Sequence, residues 1–115
     1  MNRIKLDYIY ELSGGDVDFI VSMLKTYVEE TGKEIKFLEE SFANNDRARI
    51  SFWAHKIKAS FQLMGLQYLS RATLELELKS KNEDLPIDGL RKDFDYIAEN
   101  AEISFQHAQR LVKDF

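Results

Sequence analysis

Residues 47–66 read RARISFWAHKIKASFQLMGL, and this stretch decides the fold. At about 100° per residue on a helix, Ile50, Trp53, Ile57, Phe61 and Met64 fall between roughly 160° and 240° from His55. That is one apolar stripe, and His55 stands almost opposite its centre. Ala48, Ser51, Phe52, Lys58, Ala59 and Gln62 lie within about 60° of His55 on the outer face. No period-two alternation runs through the stretch, so it is a helix with a buried side. Asp46 in front of it is a good N-cap, and Gly65 behind it suits a left-handed stop. Trp53, Ile57 and Phe61 are expected in the core.

Working outward, the same pattern recurs. Ser13-Gly14-Gly15 ends a short helix expected over residues 4–12, and Asp16 can cap the next. From there Ile20, Leu24, Tyr27, Thr31, Ile35, Leu38 and Phe42 recur at steps of three and four, with Gly32 as a place for a bend or break. Asn44-Asn45-Asp46 is a turn. After Gly65, Leu66, Leu69, Thr73 and Leu76 share a face. Pro86 marks the approach to a last stripe of Leu90, Phe94, Ile97, Ala101, Phe105, Ala108, Leu111 and Phe115. Four such helices with short connections predict an all-α, antiparallel up-down-up-down four-helix bundle, capped by the short N-terminal helix. One domain spanning residues 1–115 is expected, as a monomer.

Composition narrows the function. The 115 residues are 44% hydrophobic and 31% charged, enough for a core and a solvated surface. With no cysteine, disulfides, thiolate metal sites and a cysteine nucleophile are excluded. No apolar run reaches the length of a membrane span, and no signal-peptide core is visible at the start. A cytoplasmic protein is the expectation. The net charge of −4 hides a basic island: residues 44–71 carry five basic and one acidic residue, against an acidic excess on both sides. That is too small for a nucleic-acid footprint, and it suits an acidic partner or a phosphoryl group.

An exposed imidazole beside a cation suits phosphoryl chemistry. The neutral form of an exposed imidazole has a nitrogen lone pair that can attack phosphorus. Lys58, one turn on, can offset the charge of the product. Lys56, Arg47 and Arg49 are placed to steer a partner. Ser51, Ala48 and Ala59 are small and leave the ring accessible, while an outward Phe52 beside a reactive group reads as a docking contact, as do Lys56, Ala59 and Gln62 around it. His107, flanking Ala108, reads as ordinary surface. Neither histidine has a glutamate three positions earlier, which excludes the paired Glu-x-x-His ligands of a di-iron bundle.

These residues carry a resemblance. His55-Lys56-Ile57-Lys58-Ala59-Ser60, followed by Met64-Gly65-Leu66 and Leu69, resembles the H-x-x-K-G-S/A … G-L/A-x-x-L signature of histidine phosphotransfer (HPt) domains. Ser13-Gly14-Gly15-Asp16 with Phe19 resembles the G-G-D-x-x-F/L opening before their first long helix. The likeness covers nearly the whole chain. It departs at Ala59, where the family usually has glycine. The resemblance implies that His55 accepts a phosphoryl group from a receiver-domain aspartate and passes it to another receiver, with Lys58 as charge partner. It implies a Gln or Glu on the next helix that orients the imidazole; Glu77 is the candidate, with Glu75 and Gln62 competing. It further implies no cofactor, metal or ATP site of the chain's own, since the receiver supplies the acidic pocket and Mg²⁺. The implied partners are response-regulator receivers and a hybrid sensor histidine kinase. A kinase dimerisation domain is disfavoured by Lys56 directly after the histidine and by the lack of a nearby proline. The remaining alternative is a bundle of the same shape that binds a partner without being phosphorylated.

Overall fold

A computed structural model describes residues 3–115. The helices run in the order α1 (Asp7–Ser13), α2 (Val17–Thr26), a π-helical turn (Tyr27–Thr31), α3 (Gly32–Ala43), α4 (Arg47–Leu63), α5 (Gln67–Ser80), a 3₁₀ turn (Ile87–Leu90) and α6 (Arg91–Asp114). No strand occurs among the described residues. The α2–π–α3 rod, α4, α5 and α6 are the four long legs of a helical bundle, consistent with the expected antiparallel arrangement. The most extensive contact in the molecule is between α4 and α5.

The caps fall where the side chains predict. Asp16 accepts from the amides of Asp18 and Phe19, and Asp46 accepts from the amide of Arg49. Both satisfy amides that a first helical turn leaves unpaired. Gly32 does not break the first long rod. The chain takes up the irregularity one turn earlier, as the π-turn, and Gly32 continues in helical conformation. Gly65 has φ 71, as a left-handed stop requires. It also meets the N-terminal segment, because the amide of Lys5 donates to the Met64 carbonyl at 2.9 Å. A Cβ on Gly65 would lie 2.7 Å from Cβ of Lys5 and 3.0 Å from its carbonyl oxygen. Glycine is therefore demanded twice, by the backbone angle and by the close approach.

The N-terminal helix begins later than the sequence suggests. Residues 4–6 precede α1, and Ile4 is buried at the end of the bundle. The amide of Ile4 donates to Nδ1 of His107 at 3.3 Å. His107 is thus not ordinary surface: it is half-buried and holds this segment against α6. Burial first, and then the nearby Arg3 and Arg110, push its pKa below the ordinary value, which favours the neutral acceptor form.

Ile57 and Phe61 are fully buried, with Ile50, Ala54 and Met64 beside them. Trp53 corrects the expectation of a core tryptophan. It is half-buried, with its ring 4.9 Å from that of Phe37 on α3 and 4.9 Å from that of Phe52. The stripe of α4 leaves its centre at Ile57 and Ala54, so the larger ring at its margin packs over the α3–α4 seam. A fully buried tryptophan would cost about 3–5 kcal/mol on truncation. Trp53→Ala should cost only about 2 kcal/mol, in proportion to the area it buries. Urea unfolding measures this, and a loss above about 4 kcal/mol would place the ring in the core after all.

Candidate functional site

The long α4–α5 contact brings His55 and Glu77 face to face. The stripe of α5, with Leu66, Leu69, Thr73 and Leu76 all buried, sets Glu77 at the edge of the buried face. Glu77 is 6% exposed, an uncommon place for a carboxylate unless it is paired. It is paired on every side. Oε2 lies 2.9 Å from Nδ1 of His55 and 3.5 Å from Nζ of Lys81, and Oε1 accepts from Nζ of Lys58 at 3.1 Å. Burial by itself would raise the Glu77 pKa. The hydrogen bonds from Lys58 and His55, together with their charge, outweigh it and hold the carboxyl below the ordinary range.

An ionised Glu77 fixes the imidazole. A carboxylate only accepts, so Nδ1 is the donor, and in the neutral ring Nε2 keeps its lone pair. The His55 side chain is 69% exposed, so that lone pair is available to a partner while the ring is held from behind. This pairing also makes stability depend on acid. The folded-state pKa of Glu77 lies below the ordinary glutamate value of 4.5. Its contribution is present above that value and is lost as pH falls through the folded pKa. The urea midpoint should therefore fall on acidification below pH 4.5 less steeply in Glu77→Gln than in the parent protein. Parallel curves for the two proteins would show that the carboxylate is not held in this way.

Around the ring, a shallow depression is lined by Ser51, Phe52, His55, Lys56, Glu77 and Lys81. Phe52 is 56% exposed and rests edge-on against Trp53, so it projects beside the histidine. Lys56 places its ammonium 5.5 Å from the centre of the Trp53 ring. Ala59 is exposed one turn beyond His55. Lys58 and Gln62 line a neighbouring depression instead, with Gly65, Tyr8, Arg71 and Leu74. The structure thus brings together His55, Glu77, Lys58, Phe52, Ser51 and Lys56, and sets Gln62 to one side. Of the three candidates for the orienting group, Glu77 bonds the histidine, and Glu75 is exposed.

Several residues were not foreseen. Lys81 completes the ring of cations on Glu77, and its i,i+4 spacing from Glu77 was the available signal. Leu74 and Leu78 are 38% and 57% exposed on α5, an apolar pair off the buried stripe and on the helix that carries Glu77. Arg47 is not a free steering charge. Its guanidinium donates to the carbonyls of Ser80, Asn82 and Leu85, tying the end of α5 and the following turn to the start of α4.

Among the described residues, no helix is long and apolar enough to cross a membrane, and no cluster of three or more acidic or histidine side chains could hold a metal. A family model for the Hpt domain matches residues 22–108, most of the chain and all of the α4–α5 site. Comparison with curated proteins and with solved structures found no match. The chain belongs to the Hpt domain family, the phosphocarrier modules of two-component signalling.

Proposed function

We propose that residues 1–115 act as one phosphorelay domain, in which His55 accepts a phosphoryl group from a receiver-domain aspartate and hands it to a second receiver. The observation that carries this reading is the exposed imidazole whose Nδ1 is held at 2.9 Å by a buried carboxylate. In the forward step the Nε2 lone pair forms the N–P bond as the acyl O–P bond breaks. The aspartate leaves as a carboxylate with the electron pair. The ring, having given its lone pair, carries a formal positive charge that Glu77 offsets, and the Nδ1 proton stays between them. Both linkages are high-energy, so the step runs readily in either direction.

The other side chains have supporting roles. Lys58 is held at 3.1 Å by Glu77 and only 20% of its side chain is exposed, so it acts as a fixed positive charge beside the phosphoryl group. Phe52, Ser51, Lys56, Ala59 and Gln62 form the docking face, with Phe52 as its apolar anchor. The receiver contributes the acidic pocket and the Mg²⁺, and a hybrid sensor kinase is the upstream source. The domain works as a monomeric cytoplasmic carrier with no ATP site or hydrolytic activity of its own. Incubation with a ³²P-labelled phospho-receiver tests the reading. Label that moves to the protein, stable to alkali and labile to acid, is the expected result. A receiver that docks yet delivers no label would instead favour a pure interaction module.

A further inference from the structure

We propose that Lys81, at the end of α5, is the residue that binds the phosphoryl group on His55 directly. The inference rests on His55 being the phosphoacceptor. It starts from the three lysines near the imidazole, which the structure places in three different situations. Lys58 bonds Oε1 of Glu77, is largely buried, and lines the neighbouring depression rather than the one around the ring. Lys56 does line the depression around the ring, but its ammonium sits over Trp53. Lys81 lines that same depression, and its ammonium approaches Oε2, the very oxygen that His55 engages. Its side chain is 59% exposed, and at 3.5 Å the contact with Glu77 is the loosest of the three on that carboxylate.

The charge balance of the site changes when Nε2 is phosphorylated. A dianionic group then stands on the outer side of the ring, across the imidazole from Oε2, while the ring itself becomes positive and satisfies Glu77 more strongly. Glu77 has less need of Lys81, and the phosphoryl group has more. A lysine stem is flexible and its ammonium has three rotatable donors, so Lys81 can turn from the carboxylate to the phosphoryl oxygens without moving the backbone. Its backbone is anchored for this: the Lys81 amide donates to the Leu78 carbonyl, and Arg47 holds Ser80 and Asn82 on either side. The position also calls for a cation. Lys81 is the C-cap of α5, where the unpaired carbonyls make an anion unwelcome. Lys58, held on Glu77, contributes a fixed charge nearby, and Lys81 makes the direct contact with the phosphoryl oxygens.

Phosphoramidate, a small donor that needs no receiver, provides the test. The full chain is phosphorylated with it, and the second ionisation of the phosphoryl group is followed by ³¹P NMR as pH is varied. A contacting ammonium stabilises the dianion, so Lys81→Ala should raise that midpoint by about 0.5 unit, the scale of one partly exposed ion pair. Lys81→Arg should leave it near the parent value, and Lys56→Ala should move it clearly less than Lys81→Ala does. A Lys81→Ala midpoint equal to that of the parent overturns the assignment, as does an equal shift in Lys56→Ala, which would mean a general field rather than a contact. If the parent chain takes up no acid-labile phosphate, or takes it up equally as His55→Gln, the reading of His55 fails and this inference falls with it.

Discussion

Replacing His55 with glutamine is expected to abolish phosphate incorporation. Glutamine keeps a polar group of similar reach that can still face Glu77, but its amide nitrogen has no lone pair to offer phosphorus. No other side chain in the depression substitutes for it. Ser51 is a neutral hydroxyl, and Lys56 and Lys81 are cations. The only other imidazole, His107, has Nδ1 occupied by the amide of Ile4 and stands on α6, away from the α4–α5 seam. Because the His55 side chain is mostly exposed, the substitution should change stability by no more than about 0.5 kcal/mol. Loss of labelling with an unchanged urea midpoint therefore assigns the effect to chemistry. Acid-labile phosphate at the parent level in His55→Gln would move the acceptor elsewhere. Receiver binding with no role for His55 in either protein would point to the interaction module.

The second large effect is expected from Glu77→Ala. The carboxylate does two things at once: it sets the tautomer that leaves Nε2 free, and it holds Lys58 beside the ring. Without it the imidazole samples both tautomers and swings about its Cβ, and Lys58 loses the partner that fixed it. Misplacement of a reacting atom by about 1 Å can cost 100-fold in rate, and Glu77→Ala should slow transfer by about that factor. Glu77→Gln keeps an oxygen that accepts from Nδ1 and should lose no more than about tenfold, which separates positioning from charge. Single-turnover transfer from a phospho-receiver, read at saturating donor, makes the comparison. Equal rates for Glu77→Ala and the parent would mean that the carboxylate plays no part in orienting the ring.

The outline of the bundle was legible because its stripes are clean. Ile20 to Phe42 and Leu90 to Ala108 repeat at helical spacing, and Asp16, Asp46 and Gly65 sit where caps and stops are needed. The outward phase of His55 was legible for the same reason, since it depends only on residues within one helix. What failed was whatever one helix cannot report. Trp53 lies at the margin of its stripe, and only the position of Phe37 on another helix shows that it covers a seam. Arg47 looked like a free charge because its acceptors lie more than thirty residues away. His107 looked like surface because the chain end that binds it comes from the opposite end of the sequence. Glu77 could be named as a candidate, but its choice over Glu75 and Gln62 needed the register of α5 against α4.

The π-turn at Tyr27–Thr31 bears on how this chain tolerates changes of length. A π-turn closes its hydrogen bonds one residue further on than an α-turn does, so it already contains a residue more than the surrounding helix requires. Deleting one residue within 27–31 can convert the turn to ordinary α-helix while α2 and α3 keep their facing. The same deletion between Asp46 and His55 would turn the histidine by about 100° relative to the cap that starts its helix, carrying it away from Glu77. Insertions and deletions that survive selection in this fold are therefore expected in the α2–α3 rod and excluded from the first half of α4, so that the length of one helix can drift while the spacing that defines the acceptor stays fixed.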